Sequence, residues 1–347
     1  MKTSSLRGRD FLTLLDFSRE EVESILEVAA ELKRQRATGQ KHHLLDDKTL
    51  FLIFYNQSLR TRNSFEAGMT QLGGHAHFLD PGKIYTPALE GREVAYSTER
   101  VADVARTLAR MGEGIAIRCY GDPVDWEYGA AHAMMREFAR WSDIPVINME
   151  CDKYHPCQAL ADVLTVREKF GTFKNIKFTM SWAYSPSVHK PRAVPQSAII
   201  AATMMGMKVT LAHPRGMELD PEVLKSCRQM ARRYGGSFRV TNDFQEGLKG
   251  ADVVYPKAWC ATPIFQPPLG KADPDKTQAV FDRHQKWICD AKAMRKAASH
   301  AIYMHCLPCD RGYEVTDEVI DGEQSVVFDE AENRLHAQKA VLSLLLR

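Results

Sequence analysis

The sequence predicts an α/β fold of two domains, each a parallel sheet flanked by helices. Three observations carry this reading. The chain has 347 residues, more than a single hydrophobic core usually serves. Short apolar runs alternate with segments of helical periodicity from end to end, the pattern of parallel strands joined by covering helices. Arg118, Glu150, His155, Lys257 and His305 fall at or just after the ends of apolar runs, and open parallel sheets bind their ligands beyond the carboxyl ends of strands.

In chain order, Arg19 to Arg36 places Val22, Ile25, Leu26, Ala29 and Leu32 at helical spacing, with Ser18 suited to an N-cap. Leu50 to Phe54 reads as a buried strand, Phe65 to Leu72 as a helix ended by Gly73 and Gly74, and Ala76 to Leu79 as a short strand. From Asp80 to Ser97 a long irregular stretch is expected, a length usually kept for function. Thr98 to Met111 (helix), Gly114 to Cys119 (strand), Ala130 to Trp141 (helix) and Pro145 to Met149 (strand) complete a first domain over 1–150. A composition shift near Cys151 to His155 opens a second domain over 151–324. It repeats the alternation: helix Ala159 to Phe170, strand Ile176 to Trp182, helix Gln196 to Met205, strand Lys208 to Ala212, helix Pro221 to Tyr234, then strands Phe238 to Val240, Asp252 to Tyr255 and Ala301 to Met304. A Leu-rich C-terminal helix within 325–347 is expected to return to the first domain.

Composition narrows the class of function. Hydrophobic residues make up 44% and charged residues 26%, the balance of a soluble globular protein, and 46 basic against 44 acidic residues without long blocks call for neither nucleic acid nor a membrane surface. No apolar run reaches membrane-spanning length and the N-terminus lacks a signal-peptide core, so a cytoplasmic protein is expected. Eight cysteines without paired CxxC words predict reduced thiols and no structural metal. No GxGxxG follows any expected strand, which argues against a nucleotide-dependent dehydrogenase.

The most informative stretch is Ser58-Leu59-Arg60-Thr61-Arg62-Asn63-Ser64-Phe65-Glu66. It joins a strand to a helix, where free N–H groups and the positive end of the helix dipole make an anion site that hydroxyl and guanidinium donors reinforce. Taken alone it reads equally well as a capped helix with two solvated arginines. The word resembles the carbamoyl-phosphate signature of the aspartate/ornithine carbamoyltransferase family. Four further words in family order extend the resemblance over essentially the whole chain: Arg118 at a strand end, His155-Pro156-Cys157-Gln158, His305-Cys306-Leu307-Pro308, and Glu332 to Ala340 with Arg334.

The resemblance implies the reaction. Carbamoyl phosphate and a small amine are the expected substrates, with no cofactor and no metal. Ser58, Arg60, Thr61, Arg62 and Arg334 are expected to bind phosphate, and Leu59 belongs to the substrate-binding set. Thr61, Arg118 and His155 are expected to hold the carbonyl oxygen, and Gln158 with the Leu307 carbonyl the carbamoyl nitrogen. Pro156, Cys157 and His305 complete the substrate-binding set, and Cys306 either orients the amine or is a small buried residue. A homotrimer is implied, its site completed by a neighbour's long loop. A sensor that kept the fold and lost catalysis would show decay at these words, which are intact.

The acceptor is read from departures. The ornithine members' Asn-rich loop and Asp-x-x-x-Ser-Met-Gly word are absent. In their places stand the three-proline run Ser181 to Gln196 and Tyr255-Pro256-Lys257-Ala258-Trp259. The first resembles the rigid loop of the knotted carbamoyltransferases that act on N-acetyl- or N-succinylornithine, so a knot is expected in the second domain. Lys257 in place of an acid suits an α-carboxylate beside a blocked α-amine. Glu150 matches the position that meets acetylornithine, and Glu314 stands where those enzymes carry a carboxylated lysine. Asp310 to Asp317 looks more like the plain ornithine enzymes, which remain the alternative.

Overall fold

The computed structural model describes residues 6–260 and 274–347. The chain divides into two compact units: unit 1 holds Met1–Val124, Tyr128–Leu160 and Arg334–Arg347, and unit 2 holds Asp125–Glu127 and Ala161–Asn333.

Unit 1 is built on a four-stranded parallel sheet. Its strands are β1 (Thr49–Phe54), β2 (His75–Leu79), β5 (Gly114–Arg118) and β6 (Val146–Glu150), in spatial order β2-β1-β5-β6. β1 pairs with β2 from Thr49↔His75 and with β5 from Leu50↔Gly114. Leu50 to Phe54 are buried on both faces, as a central parallel strand requires. The order reverses between β1 and β5, so the crevice of the sheet lies beyond the ends of those two strands. Helices α1 (Arg19–Ala37), α2 (Leu59–Gln71), α3 (Val101–Leu108) and α4 (Ala130–Trp141) accompany the sheet. α1 starts on a reciprocal capping box between Ser18 and Glu21. A small parallel ribbon pairs β3 (Thr86–Ala88) with β4 (Thr98–Arg100). The last helix, α12 (Val327–Leu345), ends in this unit. A Cβ on Gly68 of α2 would sit 3.4 Å from Lys339 Cγ, and one on Gly114 would sit 2.9 Å from Leu346 Cδ2, so both glycines admit α12 and the residue after it.

Unit 2 repeats the architecture with β7 (Lys177–Trp182), β8 (Lys208–Ala212), β9 (Ser237–Thr241), β10 (Val253–Lys257) and β11 (Ile302–Tyr303), in the all-parallel order β11-β10-β7-β8-β9. Its reversal lies between β7 and β10, whose last residues are Trp182 and Lys257. Helix α5 (Pro156–Phe170) enters the unit, and α6 (Ala193–Met204) and α7 (Pro221–Arg233) flank the sheet.

Several boundaries differ from the sequence expectation. α2 begins at Leu59 rather than Phe65, because Ser58 caps a first turn too polar to show an apolar period. α5 likewise begins at Pro156, where proline suits a first turn. Part of the stretch read as irregular forms β3, and Thr98–Arg100, read as helix, pairs with it as β4. The short helices α8 (Phe244–Leu248), α10 (Ala291–Met294) and α11 (Asp317–Ile320), with α9 (Pro274–Asp282), escaped notice because a helix of one to three turns leaves little periodicity. In the three-proline run, Asp310 Oδ2 accepts from Ser185 Oγ at 2.6 Å and pairs with Lys190 Nζ at 2.8 Å. The expected knot depends on the path from β10 to α9, of which 261–273 lie outside the described residues.

Candidate active site

In unit 1 the strand-end words converge. Ser58 Oγ accepts from the Thr61 N–H at 3.2 Å and so starts α2 beyond the end of β1. Asn56 bridges the same strand end to β5: its amide donates to the Tyr120 carbonyl at 3.0 Å, and its oxygen accepts from the Tyr120 N–H at 2.9 Å. Arg118, closing β5, pairs with Glu150, closing β6, and donates to the Tyr120 hydroxyl at 2.9 Å. Burial opposes the Arg118 charge, but Glu150 and Tyr120 more than offset it and raise the pKa. From α12, Arg334 donates to Gln158 Oε1 at 2.6 Å and to Thr61 Oγ1 at 2.9 Å. With its amide turned to donate to Ser64 Oγ, Gln338 accepts from Arg334 Nη2 at 3.0 Å.

This assembly concentrates positive charge on buried groups. Burial, then the nearby Arg118 and Arg60, depress the Arg334 pKa, with Cys157 opposing. His155 is fully enclosed, and its pKa is pushed well below the usual imidazole value by burial and then by Arg334, Arg118 and Arg60. His155 is therefore a neutral ring at physiological pH, able to donate one hydrogen bond without adding charge. Three guanidinium groups act on one imidazole beside the N-terminus of α2, which is the electrostatic description of an anion site.

Two expected ligands face elsewhere. Arg62, expected to bind phosphate, lies with its guanidinium 3.9 Å over the Phe78 ring and donates to Glu66 at 2.8 Å. Cys157 directs its thiol at the Asn148 carbonyl at 3.5 Å, and burial pushes that thiol up to about 12. Gln158 is buried, and its oxygen accepts from Arg334. Leu59 opens α2 with an exposed side chain.

Unit 2 gathers a second cluster around Lys257. Its ammonium donates to the Ala258 carbonyl at 3.1 Å and to Glu314 Oε1 at 3.3 Å. Glu314 is fully buried and also accepts from the backbone N–H groups of Ala258 at 2.7 Å and Asp310 at 2.8 Å. Burial disfavours both charges, yet each keeps the other ionised: Lys257 titrates above its ordinary value and Glu314 well below its own, with His305 assisting the latter. Lys257 therefore has its buried acidic partner in Glu314.

His305 Nδ1 accepts from the Leu307 N–H at 2.9 Å, which places the proton of the neutral ring on Nε2, 3.4 Å from Glu314 Oε1. Leu307 has φ +53° and precedes a cis proline. His305, Cys309 and Glu314 each bring a metal-type ligand atom within 4.8 Å of the others. A protonated Nε2 and an ammonium on the same carboxylate suit proton sharing better than a cation. Cys306 is buried, and its thiol bonds with the Tyr255 hydroxyl.

Sequence reasoning missed Tyr120 and Gln338, which contact Arg118 and Arg334, and Asn56, which holds the Tyr120 backbone. Gln338 had a usable signal, since it lies one helical turn beyond Arg334.

Residues 9–168 match the aspartate/ornithine carbamoyltransferase carbamoyl-P binding domain, and residues 190–345 match the Asp/Orn binding domain of the same family. An ornithine carbamoyltransferase of Pyrococcus horikoshii is 41% identical over 343 residues, covering 99% of this chain and 97% of that protein. An N-acetylornithine carbamoyltransferase of Xanthomonas campestris is 39% identical over 350 residues, covering 97% and 98%. Among solved structures, acetylornithine transcarbamylase complexed with acetylcitrulline has a TM-score of 0.88 at 37% identity, covering 98% of this chain and 99% of its own. Ornithine carbamoyltransferase from Pyrococcus furiosus has a TM-score of 0.83 at 39% identity, covering 99% of both. The chain belongs to the aspartate/ornithine carbamoyltransferase family and is a carbamoyltransferase.

Proposed function

We propose that the protein moves the carbamoyl group of carbamoyl phosphate to the amine of an ornithine derivative whose α-amine is blocked, as in N-acetylornithine, and releases phosphate. The donor half of this reading is carried by one observation: Arg60, Arg118 and Arg334 surround a neutral His155 at the N-terminus of α2. In this reading the first-turn N–H groups of α2, from Leu59 on, take the phosphate together with Ser58, Arg60 and Arg334. Thr61, Arg118 and His155 hold the carbonyl oxygen, whose charge grows as the tetrahedral intermediate forms. The neutral amine attacks the carbonyl carbon, the new C–N bond forms, and the C–O bond to phosphorus breaks. Phosphate leaves with the amine proton, so no further acid or cofactor is required.

The acceptor half rests on commitments among the acids. Glu314 is buried against Lys257, Asp310 is held by Ser185 and Lys190, and Glu150 is paired with Arg118. A free α-ammonium would have to share one of these acids with the cation or donor already on it. A carboxylate can instead use the third donor of the Lys257 ammonium. Relatives named for ornithine and for N-acetylornithine stand at similar identity, and plain ornithine is the second reading, with Glu150 released from Arg118 to meet the ammonium. Comparing kcat/KM for the two acceptors decides, and a preference for free ornithine refutes the first reading.

A homotrimer is part of the proposal. The stretch from Ile84 to Tyr96, containing β3, exposes Ile84, Tyr85, Val94 and Tyr96, a surface suited to a neighbouring subunit. We also place the enzyme in the cytoplasm, which eight free thiols support. Among the described residues no helix is long and apolar enough to cross a membrane.

A further inference from the structure

The deepest polar cluster of unit 2 has no part in the reaction written above. Asp162 on α5 and Glu330 on α12 are both closed to solvent, and their carboxyl groups meet. Glu330 Oε1 accepts from the Tyr255 hydroxyl at 3.2 Å, and Oε2 accepts from the His305 backbone N–H at 2.9 Å. The His305 ring in turn accepts from the Leu307 N–H, and Tyr255 also bonds with Cys306. One carboxylate thus anchors the turn that carries the His305, Cys306 and Leu307 word.

Two carboxyl groups in contact and away from water do not both ionise. The pair holds one proton, and its position follows from the donors. Burial and then Asp162 raise the Glu330 pKa well above its ordinary value, so the pair keeps a proton; the Tyr255 hydroxyl and the His305 N–H, both directed at Glu330, favour the charge there and the proton on Asp162, which donates to it. A lone carboxylate buried at this depth would be costly without such donors. Supplied with three, it becomes a rigid acceptor for a backbone N–H that lies in no sheet ladder.

We propose that Asp162 and Glu330 share one proton, with the charge on Glu330, and that the pair is a positioning device that fixes the His305–Leu307 turn and the Leu307 carbonyl. Its effect on turnover rests on the proposed carbamoyl transfer in one respect, the expectation from the family resemblance that this carbonyl holds the carbamoyl nitrogen. Neither acid touches substrate.

Two near-isosteric variants separate the proposal from a merely structural role. Asp162→Asn replaces an acid O–H by an amide N–H and keeps the donor to Glu330, so kcat and the acceptor KM stay within about threefold of wild type. Glu330→Gln sets an amide NH2 against either the Tyr255 hydroxyl or the His305 N–H. Its kcat is expected to fall on the order of a hundredfold, the scale of a small misplacement at a reacting group, while affinity for inorganic phosphate is unchanged because the phosphate donors lie in unit 1. Infrared difference spectra should show a protonated-carboxyl stretch in the wild type that Asp162→Asn abolishes. That band requires no turnover, so a wild type that carbamoylates no amine refutes the functional reading while the shared proton is still tested. Equal damage by the two variants, a folded Glu330→Gln enzyme with normal kcat, or an unchanged band in Asp162→Asn overturns the proposal. Should Glu330→Gln fail to fold, Asp162→Asn decides alone: retained activity with the band lost supports the pair, and a hundredfold loss refutes it.

Discussion

Replacing Arg118 by Gln separates the chemical role of this arginine from its structural one. The guanidinium is buried and makes two contacts, to Glu150 and to Tyr120. If it also stabilises the anionic carbonyl oxygen in the transition state, its loss removes about 2.7–4 kcal/mol, a fall in kcat/KM of roughly a hundredfold to a thousandfold. The same change strands Glu150, and breaking a buried pair by removing one partner costs about 3–5 kcal/mol of stability. The double variant Arg118→Gln/Glu150→Gln removes the stranded charge. Stability should therefore recover while activity does not, a non-additivity expected only of residues in contact. Steady-state citrulline-type product formation and denaturant unfolding on the same preparations give both readings. A folded Arg118→Gln enzyme with near-normal turnover, or a double variant that regains activity along with stability, would show that Arg118 serves only to neutralise Glu150.

Arg60→Ala should lower carbamoyl transfer by orders of magnitude, whereas Arg62→Ala, whose guanidinium lies on Phe78 and Glu66, should stay within about threefold of wild type; similar losses in both would contradict the facing described here. Lys257→Met should raise KM for the acceptor and leave that for carbamoyl phosphate unchanged, and a change in both would remove Lys257 from the acceptor site. Lys339, buried between His42 and Gln71, has its pKa lowered to about 8 by burial and then by Arg36. Its charge is disfavoured in the fold, so the penalty is full below pH 8 and fades as pH rises toward the unfolded value of 10.5. Unfolding free energies of wild type minus Lys339→Met should therefore increase from pH 8 to 10, and a difference independent of pH would show that the ammonium is not strained.

Much of the architecture is legible in the chain because strand and helix periodicities are local. The strand ends at Phe54, Arg118 and Glu150 could be placed to within a residue or two, and with them the crevices of both sheets. Polar first turns were read less well. Leu59 to Ser64 and Pro156 to Gln158 belong to helices, but their side chains are mostly polar or exposed and make hydrogen bonds instead of filling a core, so the apolar period that marks a helix starts late. Arg60 and Arg62 were indistinguishable as letters in one word. Two residues apart on a helix they point about 200° apart, and one faces the cluster while the other faces Phe78.

What the sequence by itself determined was the alternation of strands and helices, the family words at the strand ends, and hence a carbamoyltransferase with an unusual acceptor side. What only the tertiary structure decided was which buried charges meet. Arg334 reaches Thr61 across 273 positions, Lys257 finds Glu314 across 57, and the Glu330 carboxylate finds the His305 N–H across 25. Periodicity reports which face of an element is apolar and says nothing of what stands opposite. The partner of a buried charge is fixed by how distant elements pack, and that pairing sets whether the charge is available to a substrate or already neutralised.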